Sequence, residues 1–333
     1  MRKIKLLIML SLALILAISG YKLVNVNADY SLPVVQKNYA SNPPHYIFSI
    51  GGEEKNKQES MGGLLKGPMA VTSSPEGKIY VADSGNALIR VFSADGGYLS
   101  TFGKGTLNYP LGISYINSKI YVADPNLMTV ALFDEDGKEL KPLFSKQRLT
   151  RSQGRLGEMI RPSGVQQGLD GKLYITDIAN HCLVVYNPEG EFLRSIGGEG
   201  SGDGYFKYPN ALWITGDGKI IVSDSNNRRI QIFDEQGQFI YKMNGSFGAT
   251  GAFSLPRGIT VSDEGIIILV DVFSHKVRAF DEAGFELWSF GGLGIDSEKF
   301  NFPNGVYLDS LKARLYVTDR ENNRVQVFAF KNN

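Results

Sequence analysis

The sequence predicts an all-β fold, a six-bladed β-propeller built from four-stranded antiparallel blades. Proline opens six segments, with spacings of 42, 52, 47, 47 and 47 residues: Pro68, Pro110, Pro162, Pro209, Pro256 and Pro303. An aspartate recurs once in each segment: Asp83, Asp124, Asp177, Asp224, Asp271 and Asp319. Each segment also has room for four short strands, as in one propeller blade. Two landmarks with one period make a chance pattern a poor explanation.

The first five repeats share one internal order, and the sixth starts in the same way. After the proline come an inner strand, a glycine-containing turn, a second strand, a polar loop, a third strand, a short turn and an outer strand. We place the repeats at 68–103, 110–144, 162–197, 209–248, 256–291 and 303–330. A blade cannot bury both faces of its own sheet, so neighbouring blades must stack. The apolar pairs expected between blades are Ile79/Val81, Ile120/Val122, Leu173/Ile175, Ile220/Val222, Ile267/Leu269 and Leu315/Val317.

The last repeat has only three strands, and an open ring would leave an unpaired strand edge. Its missing outer strand should resemble FLRSIGGEG at 192–200. The stretch YIFSIGGEE at 46–54 matches that segment almost position by position. Residues 46–51 are therefore predicted to be the outer strand of the last blade, which makes 46–330 the propeller domain and closes the ring.

The N-terminus has the features of an export signal. The charged MRKIK precedes an apolar run at 6–18, and Val26-Asn27-Ala28 is an acceptable cleavage site. Residues 1–28 are predicted to be a signal peptide or a signal-anchor helix, and 29–45 an extracytoplasmic spacer. If uncleaved, the segment 6–26 anchors the chain in the membrane. In both cases the propeller is expected outside the cytoplasm, secreted or membrane-tethered.

Composition excludes some function classes. The net charge of +1 offers no basic field for nucleic acid, so no nucleic-acid partner is expected. A single cysteine, Cys182, cannot form an internal disulfide. It takes the position of Arg229 and Arg324 in other repeats, which suggests an exposed thiol. Only His181 lies close in sequence to lower its pKa, so a catalytic thiol is disfavoured.

The repeats resemble the NHL repeat. The copies that carry the resemblance best are DSNNRRIQIF (224–233) and DRENNRVQVF (319–328), and the linkers at 197–209 and 291–303 are also similar to those of that family. The second repeat departs from the pattern, because PNLMTV follows Asp124. The resemblance covers about 46–330 and implies a six-bladed propeller. It implies little about function.

The Asp-x-x-Asn-x-Arg loops have two interpretations. They could form a ring of ligands, or the Asp and Asn side chains could hydrogen-bond their own turn while Arg pairs with the carboxylate. The structural interpretation is favoured, because the motif recurs in several blades and functional sites are usually local.

The residue after each proline is expected to face the mouth of the central channel: Met69, Leu111, Ser163, Asn210, Arg257 and Asn304. Ser163, Asn210, Arg257 and Asn304 are the candidate site for a polar or anionic ligand, with His181 and His275 expected on the same face. No catalytic residue is assigned.

Two resemblances suggest an enzyme instead. One NHL-like family, the peptidyl-hydroxyglycine lyases, uses histidine-bound zinc, but this chain offers only His181 and His275 where three ligands are usual. Propeller lactonases hold calcium, yet no carboxylate joins Asn210 and Asn304, and Arg257 disfavours a cation. No cofactor is therefore predicted, zinc or calcium being the alternatives. A metal-dependent lyase or hydrolase in the channel stays the alternative function.

The linker at 141–161 is longer than the others and basic. Its candidate partner-binding residues are Lys146, Arg148, Arg151 and Arg155. The linker predicts either a docking loop for an acidic partner or anionic polymer, or a solvated loop, the second being favoured. The leading function is a non-enzymatic, monomeric scaffold that binds an envelope protein, peptide or polymer.

Overall fold

The computed structural model describes residues 39–52, 64–143, 161–247 and 250–331. These residues form 24 strands arranged in six four-stranded antiparallel sheets. Blade 1 contains β2 (Ala70–Ser73), β3 (Ile79–Asp83), β4 (Leu88–Phe92) and β5 (Tyr98–Phe102). Blade 2 contains β6 (Gly112–Ile116), β7 (Lys119–Asp124), β8 (Thr129–Asp134) and β9 (Glu139–Leu140). Blade 3 contains β10 (Pro162–Gln167), β11 (Leu173–Asp177), β12 (Cys182–Tyr186) and β13 (Phe192–Gly197).

Blades 4 to 6 repeat this order. Blade 4 contains β14 (Pro209–Ile214), β15 (Ile220–Asp224), β16 (Arg229–Phe233) and β17 (Phe239–Met243). Blade 5 contains β18 (Pro256–Val261), β19 (Ile267–Asp271), β20 (Lys276–Phe280) and β21 (Glu286–Gly291). Blade 6 contains β22 (Pro303–Asp309), β23 (Arg314–Asp319) and β24 (Arg324–Ala329). Short 3-10 turns connect the second and third strands in four blades, at Ser84–Asn86, Ser225–Asn227, Val272–Ser274 and Arg320–Asn322. The predicted six-bladed architecture is confirmed.

The sixth blade is completed by β1 (His45–Gly51), which pairs antiparallel with β24. Ile50 lies opposite Val325 and is 2% exposed. Residues just before β1 also pack on the propeller, because the backbone oxygen of Tyr39 accepts a hydrogen bond from Trp288 Nε1 at 2.7 Å. The predicted closure by an N-terminal strand is therefore confirmed, with the strand starting one residue earlier than expected.

The core consists of six apolar layers, one between each pair of neighbouring blades. Each predicted apolar pair is buried in a different layer, and Ile50 of β1 lies with Ile79 and Val81 in the layer that joins blades 6 and 1. Burial at about 25 cal/mol per Å² of apolar surface makes these layers the main source of stability.

Small residues let the inner strands meet around the axis. The second position after each proline holds only alanine or glycine: Ala70, Gly112, Gly164, Ala211, Gly258 and Gly305. A Cβ atom at Gly258 would lie 2.7 Å from the backbone oxygen of Asn304, which is closer than real contacts allow. The small residue of the proline motif is thus required by the packing of neighbouring inner strands.

The predicted N-terminal helix of residues 1–28 lies outside the described residues. Among the residues that the structure describes, no helix has the length and apolar character needed to cross a bilayer.

Candidate functional site

One end of the central channel is formed by the first residues of the inner strands. We call this end, with its inter-blade linkers, the upper end. All six predicted positions line one cavity of 80 Å³ there: Met69, Leu111, Ser163, Asn210, Arg257 and Asn304. A water molecule takes about 30 Å³ of liquid volume, so the cavity admits a small group rather than a whole drug-sized ligand. At these six positions the polar residues come from blades 3 to 6 and the apolar ones from blades 1 and 2.

Most of the polar groups around this cavity bond to neighbouring strands. Ser163 Oγ donates to the backbone oxygen of Asn210 at 2.6 Å. Asn210 Nδ2 donates to the backbone oxygen of Tyr208 at 3.0 Å and to Ser225 Oγ at 2.9 Å. Asn304 Nδ2 donates to the backbone oxygen of Met69 at 2.8 Å. Ser163 and Asn304 therefore tie adjacent blades together as well as lining the channel, whereas Asn210 bonds within its own blade.

Arg257 differs from the other polar residues of the cavity. Its Nη1 atom donates to Asn304 Oδ1 at 2.8 Å. Its Nε atom is buried and has no hydrogen-bond partner within the described residues. Burial lowers the pKa of the guanidinium below its usual value, and repulsion from Arg320 lowers it further. A guanidinium has five N–H donors, so Arg257 retains unused capacity to donate.

Several other arginines of the propeller have carboxylate partners, whereas Arg194 and Arg314 donate to backbone oxygens. Arg90, Arg229 and Arg324 each donate through Nε to the repeat aspartate of their own blade, at 2.6, 2.7 and 2.7 Å. Arg278 is fully buried between Asp271 and Glu286, at 3.4 and 3.1 Å. No ion pair joins Arg257 to a carboxylate within the described ranges.

The two histidines do not join the channel. Each has a left-handed backbone conformation in the loop between the second and third strands of its blade. His181 Nδ1 accepts a hydrogen bond from the backbone nitrogen of Tyr208 at 2.9 Å, and His275 Nδ1 accepts one from Phe302 at 3.1 Å. Neither residue lines the channel cavity. In the described part of the chain, no group of three or more His, Cys, Asp or Glu residues is placed to hold a metal ion.

The repeat aspartates are structural, as the sequence analysis favoured. Asp224 is fully buried and accepts hydrogen bonds from the backbone nitrogen of Lys207 and from Asn227 Nδ2. Arg229, besides bonding Asp224, donates to the backbone oxygens of Ser201, Gly202 and Tyr205 in the preceding linker. In blade 4 the motif thus fastens the preceding linker to the blade.

Blade 5 maintains the motif in a way that its sequence pattern did not reveal. Lys276 stands where Arg229 stands in blade 4, but Arg278, two residues later on the same face of its strand, reaches Asp271 instead. Arg90 does the same in blade 1. The period of two along a strand is the signal that would have found them, because alternate residues share a face.

Cys182 is buried, contrary to the exposed thiol that its position suggested. It is 1% exposed and lies in the apolar layer between blades 2 and 3. Burial raises the pKa of the thiol to about 12, and the neighbouring Asp177 acts in the same direction. A small apolar side chain without charge fills the place of arginine there.

The candidate rim residues Lys146, Arg148, Arg151 and Arg155 lie outside the described residues.

The opposite end of the channel holds a second pocket, which the sequence analysis did not identify. We call it the lower pocket; its volume is 250 Å³. Trp213 and Tyr307 line both this pocket and the upper cavity, and their rings are 6.3 Å apart. The two rings therefore divide the channel. Both residues follow their prolines by four positions, a regularity that could have revealed them.

Two family comparisons agree with the architecture. The NHL repeat family matches residues 300–328, and a family described as 6-bladed beta-propeller matches residues 215–301. No curated protein sequence matches the chain significantly.

Solved structures that share this fold include proteins named for different activities. A catalytically inactive virginiamycin B lyase from Staphylococcus aureus, solved with quinupristin, is 13% identical with a TM-score of 0.55 and covers 81% of this chain and 97% of its own. A Bacteroides thetaiotaomicron protein of unknown function is 14% identical with a TM-score of 0.63, covering 85% and 75%. Kuenenia stuttgartiensis hydrazine synthase is 16% identical with a TM-score of 0.54, covering 83% and 80%.

At such identities these likenesses show the fold alone. Together with the six observed sheets and the two family matches, they identify this chain as a six-bladed β-propeller in which residues 300–328 match the NHL repeat.

Proposed function

We propose that the protein is a binding scaffold outside the cytoplasm, secreted or tethered through its N-terminal segment. Its upper cavity holds an anionic group of a peptide, protein or polymer from the cell envelope. The observation that carries this proposal is Arg257, a largely desolvated cation without a carboxylate partner in the described residues. A buried charge is costly unless it is paired, and such sites are characteristic of ligand binding.

The chemistry of the cavity favours a carboxylate or phosphate end. Arg257 can donate through Nε, and its fork geometry suits planar or tetrahedral oxyanions. Asn304 already accepts from Arg257 and so orients the guanidinium. The volume of 80 Å³ suits the end of a ligand whose remainder lies outside the channel.

The test measures stabilisation by acetate and by inorganic phosphate, using chloride to match ionic strength. Binding to the folded state raises the melting temperature with ligand concentration. We expect this rise in the wild type and in Arg228→Gln, which replaces an exposed arginine in the loop between β15 and β16. We expect its loss in Arg257→Gln with folding intact. An equal rise in Arg257→Gln would refute the role of Arg257.

The alternative, a metal-dependent lyase or hydrolase, rests on resemblance to enzymes with this fold. His181 and His275 are held by separate backbone donors, which gives little support to a shared zinc site. Metal analysis of the purified full-length protein separates the two functions. Stoichiometric zinc or calcium would favour the enzyme.

A further inference from the structure

We propose that the lower pocket binds an organic ammonium ion. The pocket is lined by three aromatic side chains from three blades, Tyr115, Trp213 and Tyr307. The face of an aromatic ring carries partial negative charge, and several rings together bind quaternary and primary ammonium groups. A volume of 250 Å³ accommodates such a head group with a short chain. This site is separate from the anion site, because Trp213 and Tyr307 stand between them.

The geometry of the rings suits a cation. The centroids of Trp213 and Tyr307 are 6.3 Å apart with an angle of 53° between their planes. A cation within about 6 Å of a ring centroid is attracted, so one ion can contact both rings. Both side chains are partly exposed rather than sealed in an apolar layer. The rings are therefore accessible from the pocket.

Tyr115 carries a second feature that favours a cation. Its hydroxyl donates a hydrogen bond to Glu135 Oε1. Donation to a carboxylate increases the electron density of the phenol ring, which strengthens its attraction for a cation. Glu135 also brings a negative charge close to the pocket. Tyr115 packs in a stacked arrangement on Tyr80, 6.2 Å away, which holds its ring in place.

The outer part of the lower face is acidic, whereas the inner turns next to the pocket carry charges of both signs, such as Asp170 with Lys172 and Asp217 with Lys219. The turns between the third and fourth strands lie at this end of the channel, at 93–97, 134–138, 187–191, 234–238 and 281–285. Lys138 is the single basic residue in these turns. Their acidic residues are Asp95, Asp134, Glu135, Asp136, Glu189, Glu191, Asp234, Glu235, Asp281 and Glu282. Acidic residues still outnumber basic ones over the inner and outer turns together, and such a field concentrates cations and disfavours anions at this end of the propeller.

The protein's own lysine already places one ammonium group at the edge of this pocket. Lys312 Nζ lies 3.4 Å from Asp309 Oδ2 and 2.9 Å from the backbone oxygen of Pro75. Asp309 is also held by Ser73 Oγ at 2.9 Å. Because Lys312 already pairs with Asp309, the ligand's ammonium group is expected over the aromatic rings. The positive charge of Lys312 nearby then weakens its binding. Removing Lys312 should strengthen binding of a cation and leave binding of a neutral ligand unchanged.

Intrinsic fluorescence gives a direct test with the full-length protein. The chain has two tryptophans, Trp213 and Trp288. Trp288 is 6% exposed and lies between blades 5 and 6, so Trp288→Phe leaves Trp213 as the reporter. We expect choline and tetramethylammonium to change this fluorescence saturably, whereas 3,3-dimethylbutanol, a neutral isostere of choline, does not.

Three variants in the Trp288→Phe background sharpen the test. Tyr307→Leu should weaken choline binding about tenfold, the effect of losing one ring contact of roughly 1–2 kcal/mol. Tyr307→Phe should retain binding and controls for packing. Lys312→Met should tighten choline binding.

Three outcomes would overturn the proposal. They are no saturable change with choline, equal binding of the neutral isostere, or a fluorescence change produced by glucose or maltose but not by choline. A loss of the anion response at Arg257 would leave this proposal unaffected, since the two sites lie on opposite sides of the dividing rings.

Discussion

Methionine replacement of the fully buried Arg278 and of the partly buried Arg257 separates a structural cation from a ligand-binding one. Arg278 is fully buried and bonds Asp271, Glu286 and the backbone oxygen of Gly251. Removing one partner of such a network leaves buried carboxylates uncompensated, which costs about 3–5 kcal/mol. Its guanidinium also lies 5.0 Å from the rings of Phe253 and Phe280, which adds to the loss.

Arg257→Met should behave differently in the absence of ligand. The substitution removes one hydrogen bond to Asn304, worth about 1 kcal/mol. It also removes a desolvated charge without a carboxylate partner in the described residues, which is a gain. The two effects nearly cancel, so the free energy of unfolding should stay within about 1 kcal/mol of the wild-type value.

Urea denaturation followed by circular dichroism measures both variants, with equal m-values as the check that the comparison is valid. Arg257→Met should also lose stabilisation by phosphate. If Arg257→Met destabilises the protein as much as Arg278→Met, Arg257 is a structural residue and the reasoning fails.

Three further predictions concern the fold. Deleting residues through Gly51 should lower the melting temperature of the whole propeller, because β24 loses its partner and Ile50 leaves the closing layer. Deleting only residues 1–38 should not lower it. Equal melting temperatures for the two truncated proteins would contradict ring closure by β1. Gly258→Ala should cost about 1–3 kcal/mol by overpacking, whereas Gly216→Ala, with open space around it, should be neutral in thermal denaturation. Cys182 should resist a thiol reagent at pH 8 until the protein unfolds, since burial raises its pKa to about 12. Between pH 9 and 12 the thiol ionises only in the unfolded state, so its burial then favours unfolding; rapid labelling of folded protein would refute this.

Much of the fold could be predicted because it rests on local, repeated patterns. The proline and aspartate landmarks set the blade count, and the match between 46–51 and 192–197 identified the closing strand. The position after each proline correctly placed Asn210, Arg257 and Asn304 on one cavity. These inferences needed only the period of the repeat and the alternation of side chains along a strand.

The sequence alone did not decide the environment of each side chain. Cys182 was expected to be exposed because arginines occupy its place elsewhere, but burial depends on which neighbouring blade covers it. Arg278 replaces the usual arginine from a position two residues later on the same face of its strand, and the structure shows that its guanidinium reaches Asp271.

The sequence by itself determined the number of blades, the strand order and the ring of residues at the channel mouth, because each follows from a pattern within one repeat. Tertiary structure alone decided that Arg257 lacks a carboxylate partner among the described residues and that Trp213 meets Tyr307 across the channel. These contacts join blades 4, 5 and 6, and the distance between residues of different blades depends on how the whole ring closes.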